Sequence, residues 1–144
     1  MIRVLENSKI IGSKREEVNK TIESLKKNHA SYEKTAEDIA KKLINTIPII
    51  YASEQNWSIA YRWKCELNEN AKIMAFANKF PELNHNEFNG YINYANQGAK
   101  AHLILLHDDE DHKRIQKRMA ITKKFIREMT AGKLEITEIN ISGQ

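Results

Sequence analysis

The chain has 144 residues, 29% charged and 41% apolar, with 5 glycines and 2 prolines; that balance excludes a disordered tail and fits one domain with a sizeable core. The lone Cys65 excludes an internal disulfide and suits a reducing compartment. No apolar run approaches the roughly 18 residues needed to span a bilayer and no signal-peptide pattern opens the chain, so a cytoplasmic setting without membrane contact is expected.

The net charge of +4 raises the question of an anionic partner. Lys and Arg are interleaved with Glu along helical faces, which favours a solvated surface over a nucleic-acid footprint. No internal repeat, low-complexity tract or Gly-rich phosphate loop is present.

In chain order, Met1–Gly12 reads as a connector. A helix is expected from Ser13, with Glu16 as capping-box partner and Val18, Ile22 and Leu25 on one stripe. Asn28–Ser31 is expected to interrupt it. A second amphipathic helix follows, with Ala36, Ile39, Ala40 and Leu43 on one face. Ile47–Ala52 reads as a strand buried on both faces, its proline tolerated near the start. Ser53–Asn56 is a polar turn, and a helix from Asn56 to Asn70 sends Ile59, Ala60, Trp63 and Leu67 toward the core. Arg62, Glu66 and Glu69 share another face of that helix.

Ile73–Ala77 reads as the next strand. Pro81 and Glu82 open a further helix, which falters at Asn89-Gly90. His102–His107 is an unbroken buried strand. Asp108–Asp111 forms the acidic start of a long helix with Ile115, Met119, Thr122, Ile126 and Met129 inward, closed by Gly132. Leu134 and Ile136, then Ile139 and Ile141, give a last strand with one face to water and a bulge at Thr137-Glu138. Four strands alternating with helices predict a three-layer α/β domain on a parallel sheet, preceded by two amphipathic helices.

Asn, Glu, His and Lys concentrate between Cys65 and Glu87. Glu69 at one helix end and His85 in the first turn of the next make a candidate base and acid, because a carboxylate can remove a carbon-bound proton and an imidazole exchanges protons near neutral pH. A general base and a general acid could meet here. Plainer readings stand beside this one: Glu69 as a solvated residue, His85 as a helix-start hydrogen-bonding group, Arg62 as an ion-pair partner, and Asn68, Asn70, Asn84 and Asn86 as turn or cap residues. His102, His107 and His112 with Asp108, Asp109 and Asp111 can be drawn as a metal cluster, but their positions along the elements point them in different directions, so no metal site is assigned.

Asn68-Glu69-Asn70-Ala71-Lys72 and Phe80-Pro81-Glu82-Leu83-Asn84-His85-Asn86-Glu87, preceded by Ile47-Pro48-Ile49-Ile50-Tyr51 and Ala60-Tyr61-Arg62-Trp63-Lys64, resemble the C-terminal half of the bifunctional phosphoglucose/phosphomannose isomerases. Those enzymes are built from two sugar isomerase (SIS) domains. The resemblance implies a helical lead-in over 1–46 and a C-terminal SIS-like domain over 47–144, incomplete at both ends. It implies interconversion of glucose 6-phosphate or mannose 6-phosphate with fructose 6-phosphate through an enediolate. Glu69 would be the base and His85 the acid that opens the sugar ring, with Ser53, Arg62, Asn68 and Asn84 binding or orienting substrate.

The resemblance implies no metal or organic cofactor. It implies a homodimer, because in the wider family the histidine crosses a subunit interface. It also implies a missing N-terminal SIS half carrying the Ser/Thr phosphate loop; here Ala52-Ser53-Glu54 stands where a Gly-rich turn is expected. The alternative from another class is a SIS-like binding or assembly module without turnover.

Overall fold

The structure is a computed structural model that describes residues 1–141. The chain divides into two compact units, Met1–Lys41 and the remainder from Lys42 on.

The first unit holds α1 (Ile2–Asn7) and most of α2 (Arg15–Leu43). The expected connector at the N-terminus therefore contains a helical turn and a half. The two expected helices are one, uninterrupted at Asn28–Ser31. No Gly or Pro lies within α2, and its polar residues bond back along the same helix: Asn28 donates to the Ser24 carbonyl at 3.0 Å and Thr35 to the Ser31 carbonyl at 2.9 Å. Exposed pairs such as Glu37–Lys41 at 3.0 Å add modest support along the helix. The expected stripe is only half realised, since Ile22 and Leu25 are exposed. Asn45, at a positive φ of 59°, ends the helical path as glycine would.

The second unit is a four-stranded parallel sheet in the order β2-β1-β3-β4, with β1 Ile47–Ser53, β2 Phe76–Phe80, β3 Ala101–His107 and β4 Glu135–Asn140. Between β1 and β2 runs α3 (Trp57–Glu69); between β3 and β4 runs α4 (Lys113–Met129). The chain moves one way from β1 to β2 and then reverses past β1 to β3 and β4. Right-handed crossovers then require α3 on one face and the later connections on the other. The packing agrees: α3 lies on β1 and β2, while α4 packs with the segment joining β2 to β3. This is the three-layer α/β arrangement.

The core follows strand parity. Tyr51, Leu103 and Leu105 share a face and meet Phe80, Leu83, Tyr91, Met119 and Ile126, all buried. Ile50, Ala52, Ile104 and Leu106, on the opposite face, are also fully covered. Each such Ile or Leu side chain contributes about 1.5–3 kcal/mol by leaving water.

Several boundaries differ from those expected. The second strand begins three residues later than Ile73, because the Ile73 amide bonds the Leu67 carbonyl at 3.3 Å and its own carbonyl accepts from Asn68 at 2.8 Å. Those bonds hold Ile73 to the end of α3. The stretch after Pro81, which follows a cis peptide bond, is not an α-helix but two 3-10 segments, Glu82–Asn84 and Glu87–Asn96. The second continues through Gly90 without faltering. The acidic run Asp108–Asp111 is a turn ahead of α4, whose N-cap is His112, accepting from the Arg114 amide through Nδ1 at 3.2 Å.

The expected bulge at Thr137-Glu138 is absent. The β3–β4 register runs unbroken from His102↔Glu135 to His107↔Asn140. Leu134 and Ile136 lie on one face while Ile139 lies on the other, so the apparent slip is a change of covered face within a regular strand.

Candidate active site

Glu69 is the last residue of α3 and is exposed. The chain arrives there by descending from the C-terminal end of β1, so Glu69 stands at the edge where the strands begin. Its carboxylate has no hydrogen-bond partner among the described residues, while its carbonyl accepts from Lys72 Nζ at 2.6 Å. An acid here faces the negative end of the helix dipole, and neither a basic residue in the last turn nor an internal ion pair compensates it. Asn68, beside it, fastens the helix end through its bond to the Ile73 carbonyl.

His85 follows β2 and closes the first 3-10 turn, its amide bonded to the Glu82 carbonyl at 2.9 Å. It is exposed, and its ring has no partner among the described residues. The register Ser53↔Phe80 puts this turn level with the C-terminal ends of the strands. Glu69 and His85 are thus separated by about the length of α3, roughly 20 Å for its 13 residues. Within one chain the two groups stand apart.

The four accessory residues divide. Arg62 forms an ion pair with Glu66 on the exposed face of α3, and Glu66 also accepts from Asn70. Ser53 is 2% exposed and is used in its own turn, accepting from the Asn56 amide and side chain at 3.2 Å each. Asn84 donates to Thr122 Oγ1 on α4 at 2.8 Å. Asn68 bonds the Ile73 carbonyl just beyond Glu69.

Two polar groupings were missed from the sequence. At the strand ends of β1 and β3, where the topology reverses, Asn56 joins Ser53 to Asp108 at 3.0 Å and to Asp111 at 3.5 Å. Asp111 is 4% exposed and its Oδ2 has no partner. The run of four acids was the available signal, though it reads equally as a helix start. On the α4 face, Tyr51 donates to Glu87 at 2.7 Å and shares a 2.8 Å bond with Tyr91, and Asn78 donates to Glu87 at 2.6 Å. Burial, with the Tyr91 and Glu87 charges adding to it, lifts the Tyr51 phenol well above its ordinary range, and burial pushes Tyr91 up to about 12.

The histidines drawn as a metal cluster go to separate partners. His102 bonds Thr137 at 2.8 Å, His107 bonds Glu138 at 2.9 Å, and His112 caps α4. Among the described residues no group of three or more His, Cys, Asp or Glu is arranged to hold a metal ion. No helix among them is long and apolar enough to cross a membrane.

A parallel sheet with this order, α3 on one face and α4 on the other, defines a doubly wound α/β domain of the SIS type. A solved protein of Clostridium difficile 630, assigned as a phosphosugar isomerase, shares this fold with a TM-score of 0.63 at 18% identity, over 99% of this chain and 41% of that one. The family described as the bacterial phospho-glucose isomerase C-terminal SIS domain matches residues 32–144, and the chain belongs to that family.

Bifunctional phosphoglucose/phosphomannose isomerases are among its relatives. That of Aquifex aeolicus is 34% identical over 117 residues, covering 81% of this chain and 36% of the relative. That of Caldicellulosiruptor bescii is 38% identical over 132 residues, covering 88% and 39%. The chain therefore spans little more than a third of the length of the curated relatives it matches.

Proposed function

We propose that this chain supplies the C-terminal acid/base half of a site that interconverts glucose 6-phosphate or mannose 6-phosphate with fructose 6-phosphate. Glu69 is the base that moves a proton between C1 and C2 through an enediolate, and His85 gives a proton to the ring oxygen as the sugar opens. Glucose and mannose differ at C2, which is planar in the enediolate, so one base serves both. The observation that carries this reading is Glu69 itself. An acid at a helix C-terminus, exposed and without an internal partner, breaks the local rule for helix ends, and such breaches mark functional positions.

The separation of Glu69 from His85 supports a site built from two copies, with the base of one and the acid of the other on the same substrate. Phosphate is held by an N-terminal SIS half, since the sheet end at Ser53, Asn56, Asp108 and Asp111 presents carboxylates where a phosphate needs N–H donors or cations. We divide the chain into a helical lead-in over 1–46 and the SIS-like domain over 47–144, and assign it to the cytoplasm.

The same carboxylate-lined sheet end favours a second reading, a SIS-like assembly module without turnover. Isomerase activity of the chain mixed with an N-terminal SIS half separates the two. The first reading expects turnover that Glu69→Gln lowers by at least about a thousandfold. An inert mixture, or full activity in Glu69→Gln, supports the second.

A further inference from the structure

A concavity of about 490 Å³ lies beside α4, and Asn84 and its partner Thr122 are among its lining residues. Its polar side is made by Arg114, Lys117 and Arg118, and no carboxylate lines it. None of these three cations has an ion-pair partner among the described residues. Its apolar side continues the same helical stripe. Arg114, Arg118, Ile121 and Phe125 recur at the spacing of one face, with Ile121 and Phe125 44% and 47% exposed.

Phe88 meets Phe125 edge to face, centroids 6.4 Å apart at 84°, so the two rings line the apolar side without stacking on each other. Asn84 also lines the concavity, held to Thr122 through Nδ2 while its buried Oδ1 has no partner.

We infer that this concavity binds a nucleoside phosphate. Three uncompensated cations ask for an anion of more than one charge, and guanidinium groups match phosphate oxygens in paired hydrogen bonds. The aromatic and aliphatic side asks for a flat apolar body, which a nucleobase supplies and a sugar phosphate lacks. A small movement of the Asn84 amide frees an acceptor for a base amine or a ribose hydroxyl. The volume falls in the range of small-molecule sites. A second copy of the chain is disfavoured as occupant, because a two-fold contact would bring the three cations against their own symmetry mates. The inference does not depend on the proposed isomerase chemistry, although Asn84 precedes the proposed acid His85.

Titration calorimetry of this chain with ADP, ribose 5-phosphate and inorganic phosphate, at low and moderate salt, tests the inference. Saturable binding of ADP is expected, at least about tenfold tighter than ribose 5-phosphate or inorganic phosphate. Arg118→Glu and Phe125→Ala, both on exposed positions, each weaken it about tenfold, while Lys133→Glu, on another part of the surface, leaves it unchanged. ADP binding no tighter than inorganic phosphate overturns the inference, as does equal weakening by Lys133→Glu. So does the absence of ADP binding in a chain whose self-association, measured by sedimentation, is abolished by Arg118→Glu.

Discussion

Glu69 closes α3 at the edge where the strands begin, and His85 follows β2 at the edge where they end, so the sheet and the full length of α3 lie between them. A substrate only a few ångströms from C1 to the ring oxygen cannot bridge that span. Any chemistry that uses both groups must draw them from different copies. This geometry follows from one connection: a right-handed crossover carries the chain down one face and back up the next strand.

Asn68 fixes where α3 stops. Asn68→Ala removes its bond to the Ile73 carbonyl and is expected to cost about 1 kcal/mol in urea unfolding. With Glu69 as the proposed base, Asn68→Ala in the mixed enzyme is expected to lower kcat more than it raises KM, because the base rather than the bound sugar is displaced. An unchanged kcat with unchanged stability would remove Asn68 from any positioning role.

Acid is expected to loosen the fold through His102. Burial holds its imidazole below the ordinary 6.5, outweighing the opposing Glu135 carboxylate. The unfolded chain therefore takes up the proton first. The stability this histidine contributes is complete above pH 6.5 and is lost as pH falls through the lowered folded value. His102→Gln should flatten the dependence of the thermal midpoint on pH below neutrality; an identical slope would contradict it.

Alkali acts through the buried tyrosines. Their folded values are raised, so the unfolded chain loses phenolic protons first, and the stability from Tyr91 is complete below pH 10.0 and declines as pH rises through about 12. Tyr51→Phe strips the bonds to Glu87 and Tyr91 and should cost about 1–3 kcal/mol at neutral pH. Phenolate absorbance near the ordinary value, before unfolding, that is smaller in Tyr51→Phe than in the unmodified chain would show that these hydroxyls are not shielded.

The sheet was legible because its signals are local. Ile47–Ala52 and His102–His107 are apolar runs that only a two-sided burial explains, and the four strands with their parallel order follow from alternation with helices. What was not legible depends on contacts distant in sequence or on the absence of a breaker. Asn28–Ser31 looks like a break, yet each polar group there can bond within a helix. Ile73–Ala77 looks like a strand, but the chain is still tied to Leu67 and Asn68 until it rejoins β1 at Phe76. The grouping of Ser53 and Asn56 with Asp111, some 55 residues apart, has no local signature at all. Glu69 and His85 were legible as residue types and motif, whereas their opposite placement required the register of β1 with β2.

Complementation between two inactive variants asks whether base and acid come from different copies of the chain. Glu69→Gln and His85→Ala are prepared separately, each with the N-terminal SIS half, and then mixed under conditions that exchange subunits. If base and acid come from different copies of a dimer, half of the mixed molecules carry one intact site of two, and activity should return to about a quarter of the unmodified level. A mixture no more active than its two components would contradict the account.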